Sequence, residues 1–270
     1  MFALHKKESQ MPYAPINGQN IHYTDTGSDK PALLFSHGLL MDGSMFDEQV
    51  AAFKNDYRCI TWDERGHGET GDAVGAFSYY DSADDAVALL AHLGIKQAVF
   101  IGMSQGGFLS LRVALKHPDV LRGLVLLGSQ AGTENPETLP ANTALVEAWS
   151  TVGLTDEIAA MLEHIIGGER FVGAPWRVKW ARITPANLAQ IFATLVSRDD
   201  LTGQLHCIHA PTLVVHGDAD AAIPLTRGEA VANGISNAKL VVIPGGGHAA
   251  NMTHADEVNQ AISTFLAALP

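Results

Sequence analysis

Phe100 to His117 reads FIGMSQGGFLSLRVALKH. An apolar run stops at Gly-Met-Ser-Gln-Gly-Gly, and a segment with helical apolar spacing starts at once. A lone serine, Ser104, therefore stands between glycines where a strand hands over to a helix. The junction explains the glycines. A sharp turn crowds the strand end against the helix start, and Gly102 and Gly106 remove the contacts that a Cβ would make. Ser104 is then forced into an unfavourable backbone conformation that keeps its Oγ clear of both elements. The helix start behind it offers free N–H groups and the positive dipole end to a developing oxyanion. A solvating serine in a glycine turn has the same letters, so the rest of the chain has to decide.

Outward from this point, short apolar runs alternate with longer helix-period segments, the pattern of a parallel sheet covered by helices on both faces. Asn20 to Thr26 alternates as an edge strand does. ALLFSHG (Ala32 to Gly38) and YRCITWD (Tyr57 to Asp63) read as strands, the first followed by a helix around Ser44 to Lys54, the second by the turn RGHGETGD. Ser78 to Leu93 has helical spacing and stops at Gly94. QAVFIGM leads into Ser104, the next helix ends before Pro118, and Leu121 to Gly128 is another buried strand. From about Ala131 to Asp200 there are helical patterns and no convincing strand, and three of the four tryptophans fall there. The sheet pattern resumes with PTLVVHGDAD (Pro211 to Asp220), a helix near Leu225 to Asn233, KLVVIPGGGH (Lys239 to His248) and a last helix from about Ala255 to Leu269. We expect an α/β core built from residues 1–130 and 200–270, with 131–199 as a helical cap over the sheet edge it leaves.

Serine is a weak nucleophile at neutral pH and needs a base, which in turn needs an orienting partner. In a parallel sheet such groups project from the C-terminal ends of later strands. Asp218 and Asp220 lie just beyond one such strand and His248 just beyond the next. Asp220 is preferred because Asp218, beside Gly217, shapes the turn. His248 is preferred to His254, which lies where the final helix starts. Ser104, Asp220 and His248 follow the chain order of an elbow-type hydrolase. We read them as a catalytic triad.

With SHG (Ser36 to Gly38), DERGHG (Asp63 to Gly68), GMSQGG (Gly102 to Gly107), HGDAD (His216 to Asp220) and GGGH (Gly245 to His248) in place, the chain resembles the α/β-hydrolase fold serine hydrolases over roughly Tyr13 to Leu269. It is similar to the small capped bacterial esterases, enol-lactonases, carbon–carbon bond hydrolases and cofactor-free haloperoxidase/perhydrolases. The resemblance implies a mostly parallel eight-stranded sheet flanked by helices, with a helical cap inserted. It also implies an oxyanion hole made by the backbone N–H groups of Leu39 and Gln105, structural roles for Asp63, Arg65, Gly66 and Gly68, and a supporting role for His37. Epoxide hydrolases and haloalkane dehalogenases of this fold carry Asp where this chain has Ser104.

The 270 residues are 47% hydrophobic and carry 17 Lys and Arg against 29 Asp and Glu, a formal charge of -12. Such a surface repels phosphates, so neither nucleic acid nor an anionic membrane is an expected partner. Cys59 and Cys207 match no disulfide framework and are read as reduced thiols. His206-Cys207-Ile208-His209 runs straight into a strand with no fourth ligand near, and no metal is expected. No phosphate loop occurs, so no cofactor is expected either. MFALHKKESQ lacks the apolar stretch of a signal peptide, and no run is long enough to span a membrane, which makes a cytoplasmic protein the default. Met11 is a second candidate start, with the first ten residues as an extension. Met103, Trp149, Trp176 and Trp180 are candidates for the substrate pocket; the tryptophans line an apolar acyl or aryl pocket or glue the cap to the core, and both readings stay open. We expect a serine hydrolase that cleaves small to medium carboxylic esters through an acyl-enzyme. Lactonase, carbon–carbon hydrolase and perhydrolase activities use the same triad, and a small-molecule receptor is the non-enzyme alternative. The natural ester and the oligomeric state are not legible.

Overall fold

The apolar runs become strands of one sheet in the computed structural model, which describes residues 12–270. Met11 and the ten residues before it lie outside the described residues. The strands are β1 (Tyr13–Ile16), β2 (Gln19–Asp25), β3 (Ala32–Ser36), β4 (Arg58–Trp62), β5 (Ala98–Met103), β6 (Leu121–Leu127), β7 (Thr212–Gly217) and β8 (Ala238–Ile243). Their order is β1-β2-β4-β3-β5-β6-β7-β8; β3 to β8 pair in parallel, and β1 and β2 are antiparallel.

The strand read at Asn20 to Thr26 is not an edge, because β1 pairs outside it. Tyr13–Ile16 is only four residues and contains Pro15, too short to display a period. The signal that would have found it is Asn17-Gly18, a two-residue loop with both φ positive (45° and 80°) closing the Ile16–Gln19 pair.

Residues of β3, β5 and β7 are buried on both faces. Alternate side chains feed two cores. Leu34, Phe100, Leu126 and Val214 pack with α2 (Tyr79–His92), α3 (Gln105–Lys116) and α8 (Leu225–Gly234) on one face. Leu33, Phe35, Ile101 and Val215 pack with α1 (Asp47–Phe53) and α10 (Ala255–Ala267) on the other; the short α9 (Ala250–Thr253) precedes α10. α2 begins at a capping box in which the Ser78 N–H donates to Asp81 at 2.7 Å.

Between β6 and β7 lie four helices: α4 (Leu139–Val152), α5 (Asp156–Gly167), α6 (Ala174–Trp180) and α7 (Pro185–Val196). They dock on loops that follow strands at their C-terminal ends. Trp180 Nε1 donates to the Leu40 carbonyl (2.9 Å) after β3, and Asn187 Nδ2 to the Gly66 carbonyl (2.7 Å) after β4. The insertion therefore roofs the sheet edge where the turn after β5 emerges. Among the described residues no helix is long and apolar enough to cross a membrane.

Candidate active site

Ser104 directly follows β5 with φ 51° and ψ −112°, a backbone region that side chains rarely occupy. The close approach is real. A Cβ on Gly106 would overlap the Ser36 carbonyl oxygen, and one on Gly102 the Gly106 carbonyl oxygen, so the obstacle in each case is backbone that cannot rotate away. The turn is tied to the end of β6: the Ser104 N–H donates to the Leu127 carbonyl, and the Ser129 hydroxyl to the Ser104 carbonyl, both at 2.9 Å. These anchors hold the strain in place.

Past β8, His248 Nδ1 lies 2.8 Å from Asp220 Oδ2. Asp220 Oδ1 accepts the Ala222 and Ile223 N–H groups, each at 2.8 Å, and His216 Nε2 lies 3.3 Å from Oδ2. Burial opposes the Asp220 charge. The neighbouring His248, the nearby His216, which itself bonds the Ile223 carbonyl at 2.8 Å, and the Ile223 N–H outweigh it and hold the carboxyl well below the usual carboxylate range. An ionised Asp220 takes the Nδ1–H of His248 and leaves Nε2 bare, the tautomer a base requires. Asp218 instead accepts the Gly245 N–H at 2.7 Å, and His254 Nδ1 meets the Thr253 hydroxyl at 2.9 Å.

Ser104 and His248 line one cavity of about 290 Å³ with Leu39, Met103, Trp149 and Phe192. Gln105 opens α3, so its N–H has no intrahelical acceptor. Its side chain turns away from that cavity, with Nε2 donating to Glu64 Oε2 at 2.6 Å. Of the pocket candidates, Met103 and Trp149 reach the lining, whereas Trp176 and Trp180 lie outside it. Trp180 stacks on Phe171 at 6.4 Å, and Trp176 lies under the Lys179 ammonium at 4.4 Å. A larger cavity of about 430 Å³ opens between α6, α7 and the loops after β3 and β4 but reaches neither Ser104 nor His248. Lys179 pairs with Asp42 (2.7 Å) and His22 with Asp63 (2.8 Å) in it, but the serine and its candidate base lie elsewhere, so size does not make it the reactive one.

The residues expected to be structural sit in supporting positions. Asp63 accepts the N–H groups of Gly43 (2.8 Å) and Glu69 (2.9 Å), and Arg65 makes two bonds to Asp85 at 2.7 and 2.8 Å. His37 accepts the Glu64 N–H at Nε2 (2.9 Å) and donates from Nδ1 to the Gly38 carbonyl (2.8 Å); burial pushes its pKa down and keeps it neutral. Cys59 and Cys207 are both free thiols.

With this geometry in hand, the comparison with known families is direct: the model of the alpha/beta hydrolase fold matches residues 31–255. The chain belongs to the alpha/beta hydrolase fold family. Among relatives of this alpha/beta hydrolase is a non-heme haloperoxidase of Rhodococcus erythropolis, 30% identical over 277 residues, covering 95% of this chain and 99% of the relative. A malate-bound thermophilic esterase from Thermogutta terrifontis superimposes with a TM-score of 0.84 at 30% identity, over 96% of this chain and 98% of that one. The enol-lactonase from Burkholderia xenovorans does so with a TM-score of 0.85 at 25% identity, over 95% and 100%.

Sequence reasoning overlooked three residues of this alpha/beta hydrolase. His216 stands four residues before Asp220 at a strand end, and the tight HGDAD turn folds it back on that carboxylate. Glu64 and His67 sit inside DERGHG, where polar side chains just after a buried strand were the available signal. Both are buried.

Proposed function

We propose that this alpha/beta hydrolase cleaves small to medium carboxylic esters through an acyl-enzyme. The observation that carries the reading is His248, hydrogen-bonded to Asp220 at 2.8 Å, lining one cavity with a serine held at positive φ. Ser104 Oγ attacks the ester carbonyl while His248 Nε2 takes its proton. Asp220 holds the tautomer and stabilises the imidazolium. The Leu39 and Gln105 N–H groups receive the negative oxygen of the tetrahedral intermediate. His248 then returns the proton to the departing alcohol, and water repeats the sequence to release the acid.

The lining supports a neutral, largely apolar substrate: Leu39, Met103, Leu145, Trp149, Ile166 and Phe192 are among its apolar members, and among the described residues Glu134, held by Arg198, is its one carboxylate. A substrate with a free carboxylate would meet like charge there. Lactones offer the same carbonyl chemistry, and the likeness to an enol-lactonase favours testing them beside open-chain esters. The test is hydrolysis of p-nitrophenyl esters of increasing acyl length, together with neutral lactones, by wild type and Ser104→Ala. Ser104-dependent ester hydrolysis supports the reading. Turnover of lactones alone would move it to a lactonase, and equal rates in both proteins would sink it.

A further inference from the structure

We infer that Glu64 is a positioning residue that holds both halves of the oxyanion hole from a single buried point. The inference rests on the acyl-enzyme reading above. Glu64 follows β4 and is 1% exposed, yet it touches the machinery in two directions.

Through its backbone, the Glu64 N–H donates to His37 Nε2 at 2.9 Å. That bond commits the His37 proton to Nδ1, which donates to the Gly38 carbonyl at 2.8 Å. The Gly38 carbonyl and the Leu39 N–H belong to one planar peptide, so aiming the oxygen aims the N–H in the opposite direction. Through its side chain, Glu64 Oε2 accepts from Gln105 Nε2 at 2.6 Å. The same amide donates to His67 Nε2 (3.4 Å) and accepts from the Tyr79 hydroxyl (3.3 Å), so the residue carrying the second N–H is held on several sides. Leu39 and Gln105 lie far apart in the chain. Glu64 is the piece that joins them.

The groups facing Glu64 say which protonation state does this. Arg65 and His67 come from its own loop, Ser82, Asp85 and Tyr79 from α2, His37 from the loop after β3. Arg65 is committed to Asp85, and burial keeps His37 and His67 neutral. Burial, with a smaller push from Asp85 and opposed by Ser82 and Arg65, raises the Glu64 carboxyl to about 8. Its Oε1 has no hydrogen-bond partner of good geometry to compensate a full charge. Burial thus favours the uncharged acid at Glu64, whose Oε2 still accepts from Gln105. Ionisation at higher pH places a buried negative charge behind the oxyanion, where it opposes the charge developing in the transition state.

The experiment compares kcat and KM for p-nitrophenyl butyrate in wild type, E64A, E64Q and S104A on both sides of pH 8, with thermal unfolding of each. E64A is expected to lose about 10- to 100-fold in kcat at pH 7 with KM changed less than about twofold, because the side-chain hold on Gln105 is lost while the backbone bond from the Glu64 N–H to His37 persists. E64Q, isosteric and without a charge to gain, is expected to recover most of that kcat and to abolish the alkaline fall of wild type. If E64A does not fold, the E64Q pH profile decides alone. An E64Q alkaline fall identical to wild type, or a folded E64A with wild-type kcat, overturns the inference while Ser104-dependent hydrolysis stands. Hydrolysis independent of Ser104, or none in wild type, overturns the acyl-enzyme reading and this inference with it.

Discussion

At Ser104 the chain accepts a φ of 51° that costs about 1–3 kcal/mol, and the neighbouring backbone keeps it there. Ser104→Ala should keep the fold and lose about 10^4-fold or more in kcat for ester hydrolysis, read by stopped or continuous p-nitrophenol release. Asp220→Asn should lose about 10^4-fold, since an amide NH2 facing His248 Nδ1 selects the wrong tautomer. A wild-type rate in that variant would remove Asp220 from the mechanism. Glu64 carries a separate consequence for stability. Its folded pKa of about 8 lies above the ordinary 4.5, so between those values the folded chain keeps a proton that the unfolded chain has released. Stability contributed at this site therefore falls as pH rises through that window and levels off above it. The melting temperature of E64Q should accordingly gain on wild type from pH 4.5 to pH 8 and then run parallel; a constant gap would mean Glu64 is already ionised in the folded state. At this scale Ser104, Asp220 and His248 were legible because each follows an apolar run that announces a strand end. Glu64 was not, since nothing local separates a solvated Glu in a glycine turn from one sealed beneath α2.

At the scale of the element, the turn from β5 into α3 depends on side chains that are absent. Gly106→Ala should destabilise the protein by about 2–4 kcal/mol or prevent folding, because the new Cβ meets the Ser36 carbonyl rather than a movable side chain. Urea unfolding with an unchanged midpoint would mean that β3 can retreat from α3. Most elements were visible as periodic runs, and α2 and α10 begin close to where the pattern placed them. The first hairpin was lost because β1 is short and carries Pro15, so its period is absent and only the Asn17-Gly18 turn speaks for it.

The whole molecule sets the size and character of the cavity by laying α4 to α7 across the sheet edge. Trp149 and Trp180 belong to the same insertion and do different things. Trp149→Ala should enlarge the cavity and shift the best acyl length upward, seen as KM falling for longer p-nitrophenyl esters relative to acetate, because Trp149 lines it. Trp180→Phe should leave that profile in place and cost about 1 kcal/mol of stability through the lost bond to the Leu40 carbonyl, measured by denaturant unfolding. An unchanged length profile in Trp149→Ala would place the acyl group elsewhere. By itself the sequence determined the α/β class, the ends of the parallel strands and the three candidate residues that follow them, because hydrophobic period and turn chemistry are local properties. Only the tertiary structure decided that Trp149 faces the cavity while Trp180 braces the Leu40 loop, that His216 backs Asp220, and that Glu64 spans Leu39 and Gln105. Those outcomes depend on the direction in which one element's side chains meet another's, and that direction exists only once segments far apart in the chain have packed.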